Sequence, residues 1–467
     1  MKLYTQDEHF EALEFIESRE SNAKTYARTF NRVMGRGFLA KLWDVEGREY
    51  IDCLSCAGAL PLGHNHPVVM EAVDHFLKSG HILQGLDIPT VAKHAFMEQL
   101  MLTLPNEFAE HARIQFCGPS GSDAVEAAIK LFKIATGRRS IFAFHGAYHG
   151  QTLGALSLMG NLGPKAQITG LAAETHFFTY PNGTRCHFGV GGIGGEKISL
   201  NYLDNVLTDQ ESGITKPAMI ILEAVQGEGG CIPAPPQWLR GLRAIADKHD
   251  IPLVLDEVQT GFGRTGTMFA HEEAGIVPDA IIMSKALGGG FPLALIAYHK
   301  RYDKWNPGAH TGTFRGNQIA LVAGATTMKY LREHNLHTKA IAKGKHLRKG
   351  LRLLAQRYGC IAEIRGRGLM VGVEIVTPSK ENSDQNTTQL NGELAKCIKR
   401  ECFERGLIIE TGGRHGAVLR LLPPLVINQE EIDSAIKILD GAISTAINFF
   451  IDSGSSKHNV NPKKRIA

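Results

Sequence analysis

The chain lacks a charge excess of one sign, a long apolar run, paired cysteine motifs and internal repeats, and each absence removes a class of function. Its 51 basic and 47 acidic residues leave a formal charge of only +4. That balance argues against a nucleic-acid or membrane-surface partner. The only basic run, Lys463, Lys464 and Arg465, sits in "SGSSKHNVNPKKRIA", which reads as a loose, solvated tail. No stretch is apolar for long enough to span a bilayer, and "MKLYTQDEHFEALEFIESRE" lacks the apolar core of a signal peptide. Eight cysteines are scattered along the chain. Cys53 and Cys56 form a lone C-x-x-C without the second pair that a zinc site needs. The expectation is a cytoplasmic protein with reduced, structural cysteines. His145 and His149 are four apart, but Gly146 and Gly150 make that segment a turn rather than a helical zinc pair, so no metal is indicated.

What is present is a chain of 467 residues, 43% apolar and 21% charged. These values suit a globular protein of two or three structural units. In the middle, continuous apolar runs alternate with helical patterns. "ARIQF", "SIFAF", "PAMIIL", "IPLVLD" and "PDAIIM" read as strands. A helix from about Asp123 and the helix of "PPQWLRGLRAIADKHD" fall between them. This is the signature of an α/β domain with a mostly parallel sheet covered by helices. After about residue 335 the pattern changes to helix, hairpin ("IAEIRGRGLMVGVEIV"), polar loop ("TPSKENSDQNTTQLN"), helix, short strand and a final helix from about Gln429. "KLWDVEGREYID" is another hairpin. The division expected is residues 1–65 and 336–450 in a small α+β domain built from both termini, 66–335 in a large domain, and 451–467 as a flexible tail.

Ligands of such sheets sit beyond the carboxyl ends of the strands. Glu223, Asp256, Glu257 and Lys285 all fall at or just past such ends. Lys285 is the odd one, because in "PDAIIMSKALGGGFPLA" an apolar run meets a lysine and then a glycine run. A lysine there either reaches for solvent or waits in a cleft as an amine nucleophile. "GFGRTG" (261–266) offers a rival, since it matches a dinucleotide fingerprint with Asp279 following. Asp279 precedes its strand rather than ending it, however, and Asp256 and Glu257 would repel a pyrophosphate. "GPSGSDAVE" opens a helix with backbone N–H groups and hydroxyls suited to a phosphate. Asp256 closes an apolar strand, where a carboxylate needs a positive partner. Phosphate, pyridinium and aldehyde are the three handles of pyridoxal 5'-phosphate, and the loop, Asp256 and Lys285 match them in turn.

Together, "LDEVQTGFGRTG", "PDAIIMSKALGGGFPLA", "GPSGSDAVEAAIK", "FHGAYHG", "LEAVQGEGG" and "GTFRGNQ" resemble the class III (omega-type) pyridoxal-phosphate aminotransferases of fold type I. The resemblance runs over about residues 25 to 445. "LEAVQGEGG", "FCGPSGSDAVEAAIK" and "PGAHTGTFRGNQ" are similar to the diaminobutyrate–2-oxoglutarate branch. Ala224 departs from the proline usual after the glutamate.

The resemblance implies that Lys285 forms the Schiff base and later carries a proton, and that Asp256 keeps the pyridine nitrogen protonated. It implies that Ser120, Gly121 and Ser122 hold the phosphate. Tyr148 would stack on the ring, with His149 following it and Val258 beneath. Gln259 would lie near the phenolic oxygen, and Glu223 counts among the cofactor-binding positions. Thr313 resembles a threonine that reaches the phosphate of a neighbouring subunit, which implies a homodimer with shared sites. Arg420 in "LRLLPPL" matches the arginine that binds the substrate carboxylate. Glu228 matches a glutamate that pairs with it, although it also fits as the cap of a glycine turn. The expected reaction moves the terminal amine of L-2,4-diaminobutyrate to 2-oxoglutarate. Ornithine, acetylornithine or 4-aminobutyrate are alternative donors, and an NAD-dependent dehydrogenase or a non-catalytic binding protein are readings of other classes. Residues selecting the donor are expected in "CAGALPLGHNHP" and "SGHILQGLDIPT".

Overall fold

The computed structural model describes residues 4–171, 174–377 and 389–457. Strands β1 (Met34–Phe38), β2 (Lys41–Asp44) and β3 (Glu49–Asp52) come first. The middle of the chain supplies β4 (Ala112–Phe116), β5 (Ile141–Phe144), β6 (Thr175–Phe178), β7 (Met219–Leu222), β8 (Val225–Gln226), β9 (Ile232–Pro233), β10 (Leu253–Asp256), β11 (Ala280–Met283) and β12 (Leu295–His299). The last five are β13 (Ile361–Arg367), β14 (Met370–Ile375), β15 (Leu407–Ile408), β16 (Glu410–Gly412) and β17 (Val418–Leu421).

The large sheet has the order β4-β12-β11-β10-β7-β5-β6. β6, β5, β7, β10 and β11 run parallel, and β12 pairs antiparallel with both β11 and β4. β4 therefore points the same way as the other parallel strands. Every residue of β5, β7, β10 and β11 is buried, which is why these strands read as unbroken apolar runs. Alternate side chains divide between two cores. Phe142, Phe144, Ile220, Leu222, Leu253 and Leu255 meet Trp238, Leu239 and Leu242 of the helix Pro236–Lys248. Ile141, Ala143, Ile221 and Val254 meet Ala124, Ala127, Ala128 and Leu131 of the helix Gly121–Thr136. That helix starts at Gly121, slightly earlier than the apolar pattern indicates, because Ser120 caps it by accepting from Ser122 N–H at 3.2 Å.

Two smaller sheets stand apart. β13-β14-β17-β16 is antiparallel throughout. The other has the order β1-β2-β3-β15, with β15 joining β3 in parallel through Leu407–Ile51 and Ile408–Asp52. The N-terminal strands thus pair with the C-terminal region rather than with the large sheet. The final helix spans Gln429–Lys457, so the start of the stretch expected to be a tail is helical. Residues 458–467 and 378–388, the latter most of the expected polar loop, lie outside the described residues.

Candidate functional site

The carboxyl ends of β4, β5, β7, β10 and β11 open on one cleft of about 630 Å³. Ser120, Gly121 and Ser122 follow β4; Tyr148, His149 and Gly150 follow β5; Glu223 follows β7; Asp256 ends β10; and Ser284 and Lys285 follow β11. Val258, Gln259 and Glu228 complete the wall. Thr313 is exposed and does not line this cleft.

Asp256 is buried and held from two sides. Val258 N–H donates to Oδ1 at 3.1 Å, and His149 Nδ1 lies 2.7 Å from Oδ2. The opposite ring nitrogen of His149 is buried without a partner among the described residues. Glu223 accepts from Tyr148 N–H at 3.0 Å and Gly227 N–H at 2.9 Å. Burial, reinforced by the charge of Asp256 and opposed by His149, raises its carboxyl to about 7. Glu223 therefore ties the turn after β5 to the hairpin β8–β9, whose loop carries Glu228.

Lys285 opens a short 3-10 turn, Lys285–Gly288, with φ +47°. The left-handed region is unfavourable for a residue with a Cβ, so the surrounding structure enforces it. Burial lowers the pKa of its amine, Glu228 opposes that shift and the Arg420 guanidinium adds to it. A larger fraction of neutral, nucleophilic amine is the result.

Arg420, in the middle of β17, is 1% exposed. Nη2 meets Glu228 Oε1 at 2.6 Å, while Nε and Nη1 have no partner among the described residues. Arg420 itself does not line the cleft; it stands behind Glu228, with Nε beside Gly412. Tyr26, which sequence reasoning passed over, joins this corner. Tyr26 stays 45% exposed, and partial desolvation with the charges of Glu228 and Glu410 raises the pKa of its phenol. A single tyrosine in a polar stretch carries no spacing signal. Of the two segments expected to select the donor, the first reaches the cleft: Gln259 Nε2 donates to Ala57 O at 3.0 Å.

The dinucleotide alternative fails on Asp279. This buried carboxylate accepts from Leu253 N–H at 2.9 Å, pairs with Arg243 at 2.8 Å and also binds Arg301. It serves the strand ends rather than a ribose.

The model of the family "Aminotransferase class-III" matches residues 23–443. The chain belongs to the class III aminotransferases. It is 49% identical over 430 residues to the diaminobutyrate–2-oxoglutarate aminotransferase of Rhizobium meliloti, covering 92% of this chain and 91% of that one. It is 45% identical to the enzyme of the same description from Haemophilus influenzae, covering 94% and 96%. Among solved structures, an amine transaminase from an uncultivated Pseudomonas species, in its PLP-bound form, superposes with a TM-score of 0.81 at 25% identity, covering 91% of this chain and 98% of that one. A transaminase from the marine bacterium Virgibacillus gives a TM-score of 0.82 at 22% identity, covering 94% and 100%, and shares the fold.

The family, the fold type and the mostly parallel sheet are as the sequence implied, and the cofactor of this aminotransferase is pyridoxal phosphate. The cleft fits it. A buried carboxylate stands at the floor, an amine faces it, and the helix Gly121–Thr136 presents its N-terminal N–H groups beside two hydroxyls. A Cβ on Gly121 would come within 3.2 Å of Val258, so the glycine keeps the cleft open at the start of this helix.

Proposed function

We propose that this aminotransferase moves the terminal amine of L-2,4-diaminobutyrate to 2-oxoglutarate, giving aspartate 4-semialdehyde and glutamate, and that it works as a cytoplasmic homodimer with shared sites. The observation that carries the substrate reading is the Glu228–Arg420 pair. A donor that reacts at its far amine brings no carboxylate to that corner, and a lone buried cation there would be costly. Glu228 neutralises Arg420 during that half of the reaction. 2-Oxoglutarate brings a carboxylate of its own, Glu228 gives way, and the guanidinium takes it up with the donors now unpartnered. The relatives' descriptions support the same substrates.

When bound, pyridoxal phosphate supplies an aldehyde that takes the amine and a protonated ring that draws off electrons as the substrate carbon loses its proton. Lys285 supplies the amine for covalent attachment and moves the proton at the carbon bearing the transferred nitrogen. Asp256, steadied by His149 and Val258 N–H, keeps the ring nitrogen protonated. Ser120, Gly121 and Ser122 would hold the phosphate, Tyr148 and Val258 would enclose the ring, Gln259 would serve its phenolic oxygen, and Glu223 fixes the loops around the cleft. Thr313 of a second copy would add to the phosphate contacts. Its exposure here, beside Phe314 at 59%, supports the dimer. Eight free cysteines suit a reducing compartment. Single-turnover kinetics with diaminobutyrate, ornithine, acetylornithine and 4-aminobutyrate test the donor. Diaminobutyrate is expected to convert the cofactor fastest, and a faster rate with another donor would replace it.

A further inference from the structure

Behind the Glu228–Arg420 corner lies a second cavity of about 530 Å³, which shares no lining residue with the reaction cleft. Arg414, Arg185, His187 and Gln226 line it, and through Tyr180, Asn182, His187 and Ile232 it adjoins a further cavity whose lining includes Glu196 and Glu363. The hairpin β8–β9 and the turn after β5 form the partition. Glu223 and Glu228 face the cleft, and Gln226 faces the second cavity.

Arg414 is exposed, and its side chain makes no hydrogen bond or ion pair among the described residues, although two other arginines nearby are neutralised. Arg185 meets Glu374 at 2.8 Å, and Arg365 meets Glu363 at 2.6 Å and Glu374 at 2.8 Å. The Arg414 guanidinium rests against Gly146, where a Cβ would lie 2.5 Å from Nη1. His145 and His187 stand beside it with ring centroids 5.0 Å apart. Burial depresses both imidazoles, and the charge of Arg414 adds to this. Gln226 is 1% exposed; its Nε2 donates to His145 O at 3.0 Å, and its Oε1 has no partner among the described residues. An unpaired guanidinium, the His187 imidazole and an unanswered acceptor thus line one space, with His145 against His187.

We propose that this cavity binds a compact oxyanion, a carboxylate or a phosphate, at a site separate from the reaction cleft, with Arg414 as its main contact. A guanidinium offers such a group two parallel donors. The His187 imidazole gains a reason to hold a second proton once the anion is present. A protonated oxygen of hydrogen phosphate, or a water carried with a carboxylate, answers Gln226 Oε1. The site touches the catalytic corner through one bond, since Gly413 N–H, next to Arg414, donates to Glu228 O at 2.8 Å. An anion gripped by Arg414 therefore holds the backbone of Glu228 from outside the cleft. The proposal does not depend on which donor the enzyme uses.

The test is calorimetric titration of the holoenzyme, whose own phosphate site is filled, with inorganic phosphate and separately with malonate in a chloride-free buffer. Saturable binding of either probe is expected. Arg414→Ala should weaken it by about tenfold or more, the loss of a charge-assisted contact. His187→Ala should weaken it less. Unchanged cofactor absorbance and far-ultraviolet dichroism guard against a folding defect. Preference between the probes tells a phosphate ligand from a carboxylate one. No saturable binding, or equal affinity in wild type and Arg414→Ala, would overturn the site. So would binding lost in Arg420→Ala but kept in Arg414→Ala, because the anion would then lie in the reaction cleft.

Discussion

Glu228 and Glu223 are two carboxylates five residues apart with opposite duties. Glu228 is partly exposed and answers a buried cation. Glu228→Gln keeps the shape and removes the charge, so Arg420 loses its neutralising partner in the donor half-reaction alone. We expect that half-reaction to slow by about tenfold or more, the scale of an unpaired buried charge, with the glutamate half-reaction spared. Stopped-flow measurement of each half separately decides it, and equal losses would make Glu228 part of the scaffold. Glu223 is buried and braces two loops. Its folded pKa, about 7, lies above the ordinary 4.5. The folded state therefore binds its proton more tightly, a stabilisation complete below pH 4.5 and lost as pH climbs to about 7. Relative to Glu223→Gln, the wild type should lose stability across that window by up to about 3 kcal/mol. Paired thermal melts from pH 4.5 to 8 measure the difference, and a flat difference would refute the raised pKa.

At the scale of elements, the turn bearing Lys285 depends on a helix distant in sequence. Gly324, in the helix Gln318–Glu333, sits so close that a Cβ would overlap Leu287 O, two residues beyond the lysine. Alanine favours a helix over glycine by about 1 kcal/mol, but the backbone overlap is the larger effect. Gly324→Ala should therefore lower the melting temperature and reduce borohydride-trapped label at Lys285. An unchanged melting temperature with full labelling would show that the turn adapts.

The strands and the strand-end residues were legible because complete burial writes unbroken apolar runs, and because Asp256 and Lys285 interrupt those runs. The antiparallel return of β12 was not legible. Its five residues look like any buried strand, and direction is set by the turn at Gly288–Gly290 rather than by side chains. The bracing of Glu223 between Tyr148 and Gly227 was equally hidden, since it runs to backbone N–H groups that no sequence pattern marks. Arg420 without the family motif is an arginine in a short strand. Only its burial beside Glu228 distinguishes it.

For the whole molecule, exposed Leu83, Leu86, Ile88 and Phe314 are apolar groups that one copy leaves in water. A second copy covering them would also bring its Thr313 to this cleft. Phe314→Asp should shift sedimentation from dimer to monomer and weaken cofactor retention on dilution. A dimer with full retention would place the interface elsewhere.

The parallel pairing of β3 with β15 also has a consequence for synthesis. At about 5–20 residues per second, the ribosome needs tens of seconds to travel from Asp52 to Leu407. For that interval the hairpin of β2 and β3 has been made and its outer edge has no mate. The large sheet can assemble meanwhile, because its strands all lie between the two. A nascent chain of this enzyme therefore carries an open strand edge at β3 until Leu407 and Ile408 emerge to close it.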